Sequence, residues 1–184
     1  MKSARLASAF VKGALALGVL VSSLPGAPVG AARILDDPNG FNGYTWGTST
    51  TRYPSLQHVK DVGSTGSGEK LSVYENPGEV VTLNGVPLTR IHYRFVGDRL
   101  ESIVLSYEGR ENREKLLRWL EGQYGRLTPA ERQRRMLGQV EWLGDKTEVT
   151  LSYNLGRKDG TLLLISRALG GRLSDSNLGG GGLP

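Results

Sequence analysis

Alternation of apolar and polar side chains, with a period of two residues, dominates the middle of this 184-residue chain. Ile91, Tyr93 and Phe95 alternate with His92 and Arg94. Such alternation is typical of antiparallel strands that bury one face and leave the other in water. Runs that alternate in the same way, or that are continuously apolar, predict further strands at 71–73, 80–83, 103–107, 140–143, 148–154 and 162–167.

Helical spacing replaces the alternation at 112–124. Leu116, Leu117, Leu120 and Tyr124 form one apolar stripe there. A run of about 13 residues makes a helix of about 20 Å, which is long enough to lie across a sheet of ordinary strands. We therefore expect an α+β fold, with an antiparallel sheet of five to seven strands and one main helix packed on one face.

The first 32 residues have the layout of a secretory signal peptide. A basic start precedes an apolar run at 13–24, and Pro25 and small residues follow. A helix over that run would be about 18 Å long, too short for a hydrocarbon core of about 30 Å. We expect cleavage after Ala31 or Ala32, and a periplasmic or secreted product without a membrane span.

The rest of the chain divides into a lead-in segment at 33–40, one domain at 41–169 and a glycine-rich tail at 170–184. We expect the tail to be disordered. The chain has no cysteine, so an exported domain of this kind must be held together by its apolar core alone. A chain of about 150 residues buries about 68–70% of its unfolded surface, which suffices for one self-supporting domain.

The formal net charge of +5 overstates the charge of the exported chain. Three of the 23 basic residues lie in the leader, and the remainder carries 20 basic and 18 acidic residues. This near balance suits a soluble surface of mixed charge. It also removes the main compositional argument for nucleic-acid binding.

A short partial repeat links two parts of the sequence. A Gly-Asp turn at 97–98 leads to Leu105-Ser106-Tyr107, and a second Gly-Asp turn at 144–145 leads to Leu151-Ser152-Tyr153. A duplicated sheet-and-helix unit and two independent, similar hairpins both explain the repeat. The sequence leaves both explanations open.

Residues 54–70 show no strand periodicity. Pro54 starts a predicted short helix that ends at Lys60, and the Gly/Ser-rich stretch at 61–70 predicts a loop. That stretch comes close to the pattern of a phosphate-binding loop, but Glu69 interrupts the required Gly-Lys-Ser/Thr sequence.

His58 and His92 are the two histidines of the chain. His92 lies on the polar side of its predicted strand, and we expect a solvent-facing pair with Glu101 as its candidate partner. His58 and Asp61 provide two ligands, whereas a zinc site needs three or four. We therefore expect neither a metal site nor a cofactor, and the sequence contains no catalytic constellation that we can identify.

The segment after the leader reads Phe41-Asn42-Gly43-Tyr44-Thr45-Trp46-Gly47-Thr48. Together with Tyr93-Arg94-Phe95 and the Tyr124-Gly125 helix end, it resembles a group of small exported bacterial proteins that begin F-x-G-x-x-W-G-T after a signal peptide. The resemblance covers roughly 41–168 and implies an exported α+β domain of no assigned activity. A looser likeness to envelope-assembly modules of the BamE/SmpA type implies short helices on an antiparallel sheet, although their lipid-bearing cysteine is missing here.

Two clusters are candidate partner contacts: three aromatic residues near the start of the domain and three arginines in a polar connector. They are Phe41, Tyr44 and Trp46, and Arg132, Arg134 and Arg135. The aromatic cluster either lines a ligand groove or closes one end of the core. The arginines either contact anionic groups or an acidic partner face, or belong to a solvated loop.

We therefore expect an exported, non-catalytic binding or envelope-assembly module, whose partner is an envelope protein or an anionic envelope component. Two alternatives come from other functional classes. A hydrolase acting on cell-envelope polymers requires clustered carboxylates in a polar cleft, or His92 beside a serine. An inhibitor of an exported enzyme requires a partner that purifies with the chain.

Overall fold

The computed structural model describes residues 31–34, 36–79, 81–134 and 138–170, with the backbone alone for residue 134. Residues 1–30 of the predicted signal peptide (1–32) and residues 171–184 of the predicted disordered tail (170–184) lie outside these ranges.

Strands make up nearly half of the described chain, which also has three α-helices and one 3-10 turn at Thr50–Arg52. The strands are β1 (Ala32–Arg33), β2 (Gly40–Phe41), β3 (Tyr44–Thr45), β4 (Gln57–Ser64), β5 (Lys70–Glu75), β6 (Thr82–Leu83), β7 (Val86–Val96), β8 (Arg99–Glu108), β9 (Gln139–Leu143), β10 (Thr147–Asn154) and β11 (Asp159–Ser166). The helices are α1 (Arg110–Tyr124), α2 (Pro129–Arg134) and α3 (Arg167–Gly170). Within the described ranges, no helix combines the length and the apolar character needed to cross a membrane.

Nine strands form one sheet in the order β1-β9-β10-β11-β8-β7-β5-β4, with β6 added to β7. Only the pairing of β1 with β9 is parallel among the described strands, and β2 and β3 form a separate ribbon. The predicted α+β class with an antiparallel sheet is confirmed, but the predicted number of five to seven strands is wrong. β1 and β6 have two residues each, too few to show a period of two in the sequence.

The helix predicted from Pro54 to Lys60 is also wrong, because this part of the chain runs into β4, the edge strand of the sheet. Val59 and Val62 are 45% and 43% exposed, and two register shifts against β5 disturb the alternation. An isolated helix of this length is marginal in water, whereas β4 gains a backbone ladder along β5. The predicted loop begins only after Ser64.

α1 packs across one face of the sheet, against β7, β8 and β10. Its predicted stripe of Leu116, Leu117, Leu120 and Tyr124 is buried in the core. The prediction of one main helix on one face is therefore confirmed, although the helix begins at Arg110 rather than at residue 112.

The opposite face of the sheet carries Val104, Leu163 and Ile165, and we call it the outer face. These residues are half-buried and alternate with core residues along β8 and β11. α3 covers one end of the outer face, where Leu169 is 6% exposed and Gly170 lies against Ile165.

The two Leu-Ser-Tyr runs flank β11 in the same register. Both serines pair with Thr161, and Tyr107 and Tyr153 both pair with Gly160. The glycine leaves room beside it for the Tyr107 ring. The repeat therefore corresponds to two strands that share one central neighbour.

Candidate functional site

A cleft of about 410 Å³ lies where the start of α1, α2 and the end of β10 meet, and we call it the arginine cleft. Its lining residues are Arg110, Arg113, Glu114, Arg132, Gly138, Tyr153 and Leu155. Among the described lining residues, three guanidinium groups and one carboxylate are present, so positive charge is in excess. The volume falls within the range of about 300–1,000 Å³ that is usual for small-molecule sites.

Arg113 is the most buried of the three arginines, with 7% of its surface exposed. Its guanidinium carbon lies 5.7 Å from the centroid of the Tyr153 ring, which is a cation–π contact. Its Nη1 atom lies 3.9 Å from Oε1 of Glu114. Because the effective dielectric is lower there than in water, this charge acts on an incoming anion more strongly than a hydrated surface arginine does.

The Tyr153 ring is itself held in place by Tyr107, the other tyrosine of the repeat. It stacks on the Tyr107 ring, with centroids 6.3 Å apart and planes inclined by 15°. The Tyr107 hydroxyl donates a hydrogen bond of 2.8 Å to the carbonyl oxygen of Ser152, and burial raises the pKa of Tyr107 above its usual value. A side chain at Gly160 would overlap the Tyr107 ring, so this glycine permits the stack that supports Arg113.

Gly138 forms the wall of the cleft where the chain leads into β9. Its φ angle is 89°, a value that residues with a side chain rarely adopt. A Cβ atom there would lie 2.7 Å from the carbonyl oxygen of Tyr153, whose N–H donates a hydrogen bond of 2.7 Å to Gly138. The glycine therefore allows the close backbone contact that fixes the end of β10.

The predicted polar connector contains α2, which places Arg132 in the cleft. The N–H of Thr128 donates to the Glu131 carboxylate, and the N–H of Glu131 donates to Oγ1 of Thr128. This reciprocal arrangement is a capping box, and its Thr-x-x-Glu spacing in the sequence would have predicted the helix. Arg134 ends α2 with its backbone alone described, and Arg135 lies outside the described residues.

Sequence reasoning named Arg132 and missed Arg110 and Arg113. Charged residues in a helix usually form a solvated face, so neither arginine attracted attention. Arg110 is the first residue of α1, where the helix dipole disfavours a cation, but the predicted helix began at residue 112, so only the structure shows this position.

A smaller cleft of about 240 Å³ adjoins the arginine cleft at Gly138 and Tyr153. Its other lining residues are Gln139, Ser152, Asn154, Arg157, Gly160 and Thr161. Arg157 is paired with Asp159 at 3.0 Å. Ser152 and Thr161 alternate with the core residues Tyr153 and Leu162, so their hydroxyl groups lie on the outer face, on the opposite side of the sheet from the arginine cleft.

The predicted aromatic contact residues lie outside the arginine cleft. Trp46 is 8% exposed, and its indole N–H donates a hydrogen bond of 2.8 Å to Oγ1 of Thr147. Phe41 and Tyr44 are partly buried and pack against the core, with the Tyr44 ring centroid 4.3 Å from that of Tyr93. Their role as partner contacts stays a prediction.

Both histidines pair with carboxylates. His92 lies 2.9 Å from Glu75 of β5 and faces Val104 across the strands, so the expected partner Glu101 is wrong. His58 lies 2.8 Å from Asp61 on β4. In the portion of the chain that the structure describes, no group of three potential metal ligands comes together.

No family model, no curated protein and no solved structure matches this chain. The resemblance to exported F-x-G-x-x-W-G-T proteins and the looser likeness to BamE/SmpA-type modules therefore stay predictions.

Proposed function

We propose that this chain is an exported, non-catalytic binding module whose arginine cleft takes an anionic group of an envelope component. The observation that supports the proposal is the meeting of Arg110, Arg113 and Arg132 around one cleft. These three residues come from two helices separated in the sequence, so the fold and not the local sequence gathers the charge.

Guanidinium groups suit this role because they bind carboxylates and phosphates through planar, paired hydrogen bonds. Arg113 is held by Tyr153, so little side-chain freedom is lost when a ligand binds to it. Arg110 and Arg132 are exposed and can close on the same group from either side. The site is therefore partly formed before the ligand arrives.

The shape of the cleft favours a compact anionic group over a flat membrane surface. A cleft of about 410 Å³ holds a group of the size of a sugar acid or a phosphorylated headgroup. An acidic group on an envelope polymer fits both the volume and the positive charge of the cleft.

Export is the second part of the proposal. Ala32 is 4% exposed and pairs with Trp142 in the β1–β9 ladder. Cleavage after Ala31 would keep this pairing intact, whereas cleavage after Ala32 would remove it. Intact-mass measurement of the protein from envelope and cytoplasmic fractions tests this part; a full-length cytoplasmic product would contradict it.

Isothermal titration tests the binding part, with D-glucuronate and inorganic phosphate as probes and D-glucose as the uncharged control. Arg132→Gln and Arg110→Gln should weaken binding of at least one anion by about tenfold or more, since a hydrogen bond to a charged group is worth about 1.5–3 kcal/mol. Arg118→Gln removes the same charge from an exposed position of α1 outside the cleft lining and should leave affinity almost unchanged. Equal losses in all three variants, or no binding of either anion, would contradict the proposal.

A bound anionic group could belong to an envelope polymer or to a lipid headgroup. Vesicles of phosphatidylcholine with one third phosphatidylglycerol (about 30% anionic lipid) distinguish these two sources. Binding to glucuronate without binding to vesicles supports a polymer ligand. Binding to vesicles alone, equally weakened by Arg118→Gln, would point to nonspecific surface attraction and would contradict a role for the cleft.

A further inference from the structure

β8 contains one extra residue opposite β7. Arg94 pairs with Ser102, but the next residue of β7, Phe95, pairs with Leu100. Glu101 is therefore the inserted residue of a β-bulge, a feature that redirects side chains. The position of a Cβ atom on Gly170 would lie 3.6 Å from Oε1 of Glu101, which places this carboxylate on the outer face beneath α3.

The carboxyl group of Glu101 is buried without hydrogen bonds. The residue is 0% exposed, and neither carboxylate oxygen has a partner in the described part of the chain. The neighbouring hydroxyl of Ser102 makes no well-aligned hydrogen bond among these residues, although it lies close enough to Glu101 to act to lower the pKa of that residue. Ionisation would create a negative charge that neither water nor a hydrogen-bond donor stabilises, which is strongly unfavourable. Burial accordingly raises the pKa of Glu101 above that of an ordinary glutamate.

α3 forms the cover over this carboxyl group. It has four residues, too few for a helix that is stable without packing. Leu169 is buried, and Arg167 ties the start of α3 to the β9–β10 turn, with its N–H donating to Lys146 and its guanidinium donating to Gly144. The cover thus depends on its contacts with the outer face.

The charged groups on the surrounding elements are few. The Ser102 hydroxyl and, on β7, the charge of Arg94 act to lower the pKa of Glu101, but burial has the larger effect. On β8 itself, Arg99 pairs with Glu69 at 2.5 Å. On β10, Glu148 faces Ile165 and is half-buried. β11 has no titratable side chain from residue 161 to residue 166.

We propose that α3 is a pH-sensitive latch, which stays docked while Glu101 is protonated and lifts from the outer face when Glu101 ionises. Lifting lets water reach the carboxylate and uncovers Ile165 and the apolar surface beside it. The latch acts on the outer face and does not depend on the anion-binding proposal for the arginine cleft. Docking of α3 is strongest below the ordinary pKa of a glutamate carboxyl group and is lost as the pH rises through the raised pKa of Glu101. Because one proton is involved, the equilibrium constant for docking falls by at most about tenfold per pH unit.

A spin label on α3 tests the latch in the full exported chain. The chain has no cysteine, so Ala168→Cys provides a single labelling site at an exposed position of α3. The mobile fraction of the label, measured by electron paramagnetic resonance from about pH 5 to about pH 8, should rise with pH. In Glu101→Gln the label should stay immobile throughout this range. Glu101→Met provides a second non-ionisable variant in case the amide perturbs the bulge.

Glu148→Gln is the matched control, because it removes a carboxylate from the same face and should leave the pH dependence unchanged. Loss of the pH dependence in Glu148→Gln but not in the Glu101 variants would overturn the proposal. A label that is equally mobile at all pH values would overturn it too. Docking that strengthens with rising pH would also overturn it, because it would show that an ionised Glu101 favours the docked state.

Discussion

The guanidinium group of Arg113 on α1 lies against the aromatic ring of Tyr153 on β10, with 5.7 Å between guanidinium carbon and ring centroid. This contact joins the helix to the sheet at the wall of the arginine cleft. It also limits the positions that the arginine can take, and so it links the packing of the sheet to the binding of an anion.

Tyr153→Leu should weaken anion binding because it removes the ring that supports Arg113. Cation–π contacts are worth about 0.5–2 kcal/mol, so affinity for glucuronate should fall about threefold to thirtyfold. Tyr153→Phe retains the ring and should keep most of the affinity. Equal affinities of the leucine variant and the unmodified protein would show that Arg113 does not need this support.

Gly160→Ala should destabilise the fold, because the added methyl group overlaps the Tyr107 ring and the Ser152 carbonyl group. Overpacking of this kind costs about 1–3 kcal/mol, which urea unfolding monitored by circular dichroism can measure. Gly122→Ala makes the same change within α1, where no atom lies within 4 Å of the new methyl group, and should stabilise the protein by about 0.5–1 kcal/mol. A harmless Gly160→Ala would mean that the tyrosine stack is loosely packed.

Trp46→Phe should destabilise the protein by about 1–3 kcal/mol, because it deletes a buried hydrogen bond to Thr147. Trp119→Phe is the control at a partly buried position. The midpoint of urea unfolding provides the measurement. If Trp46 served mainly as a partner contact, its replacement would leave that midpoint unchanged and would reduce capture of a partner.

Asp98→Asn should cost stability at neutral pH and progressively less in acid. Hydrogen bonds from Ser49 and Thr50 lower the pKa of Asp98 below its ordinary value of 3.8. Its contribution is therefore fully present above that ordinary value and is lost as the pH falls through the lowered one. The free energy of unfolding at about pH 7 and about pH 3 gives the comparison. Asp145→Asn, at the second Gly-Asp turn, is the control and should change the free energy of unfolding little at either pH. A stability difference between Asp98→Asn and the unmodified protein that grows in acid would contradict this role of Asp98.

The sequence predicted the elements that carry one apolar face. Ile91, Tyr93 and Phe95 on β7 and the leucine stripe of α1 are buried as their periods indicate. The sequence did not predict β4, because every residue of that strand is exposed and no apolar period marks it. Only its pairing with β5 makes it a strand. α2 escaped although its capping box is visible in the sequence.

The candidate site was predictable in part. Arg132 was named from a local run of arginines, but the burial of Arg113 depends on Tyr153, which is distant in the sequence and adjacent only in the fold. Similarly, nothing in the sequence around Glu101 predicts that α3 covers it, because the bulge against β7 and the return of the chain after β11 are both tertiary features. Local periodicity therefore predicted strands, and long-range pairing determined the sites.

Nuclear magnetic resonance of the arginine side chains during a titration with D-glucuronate tests the central claim most directly. The Nε–Hε signals of Arg110, Arg113 and Arg132, which line the cleft, should shift together along one saturable curve. The signals of Arg90 and Arg118, exposed elsewhere on the protein, should move little. Shifts spread over all the arginines without saturation, or limited to residues outside the cleft, would contradict anion binding at this site.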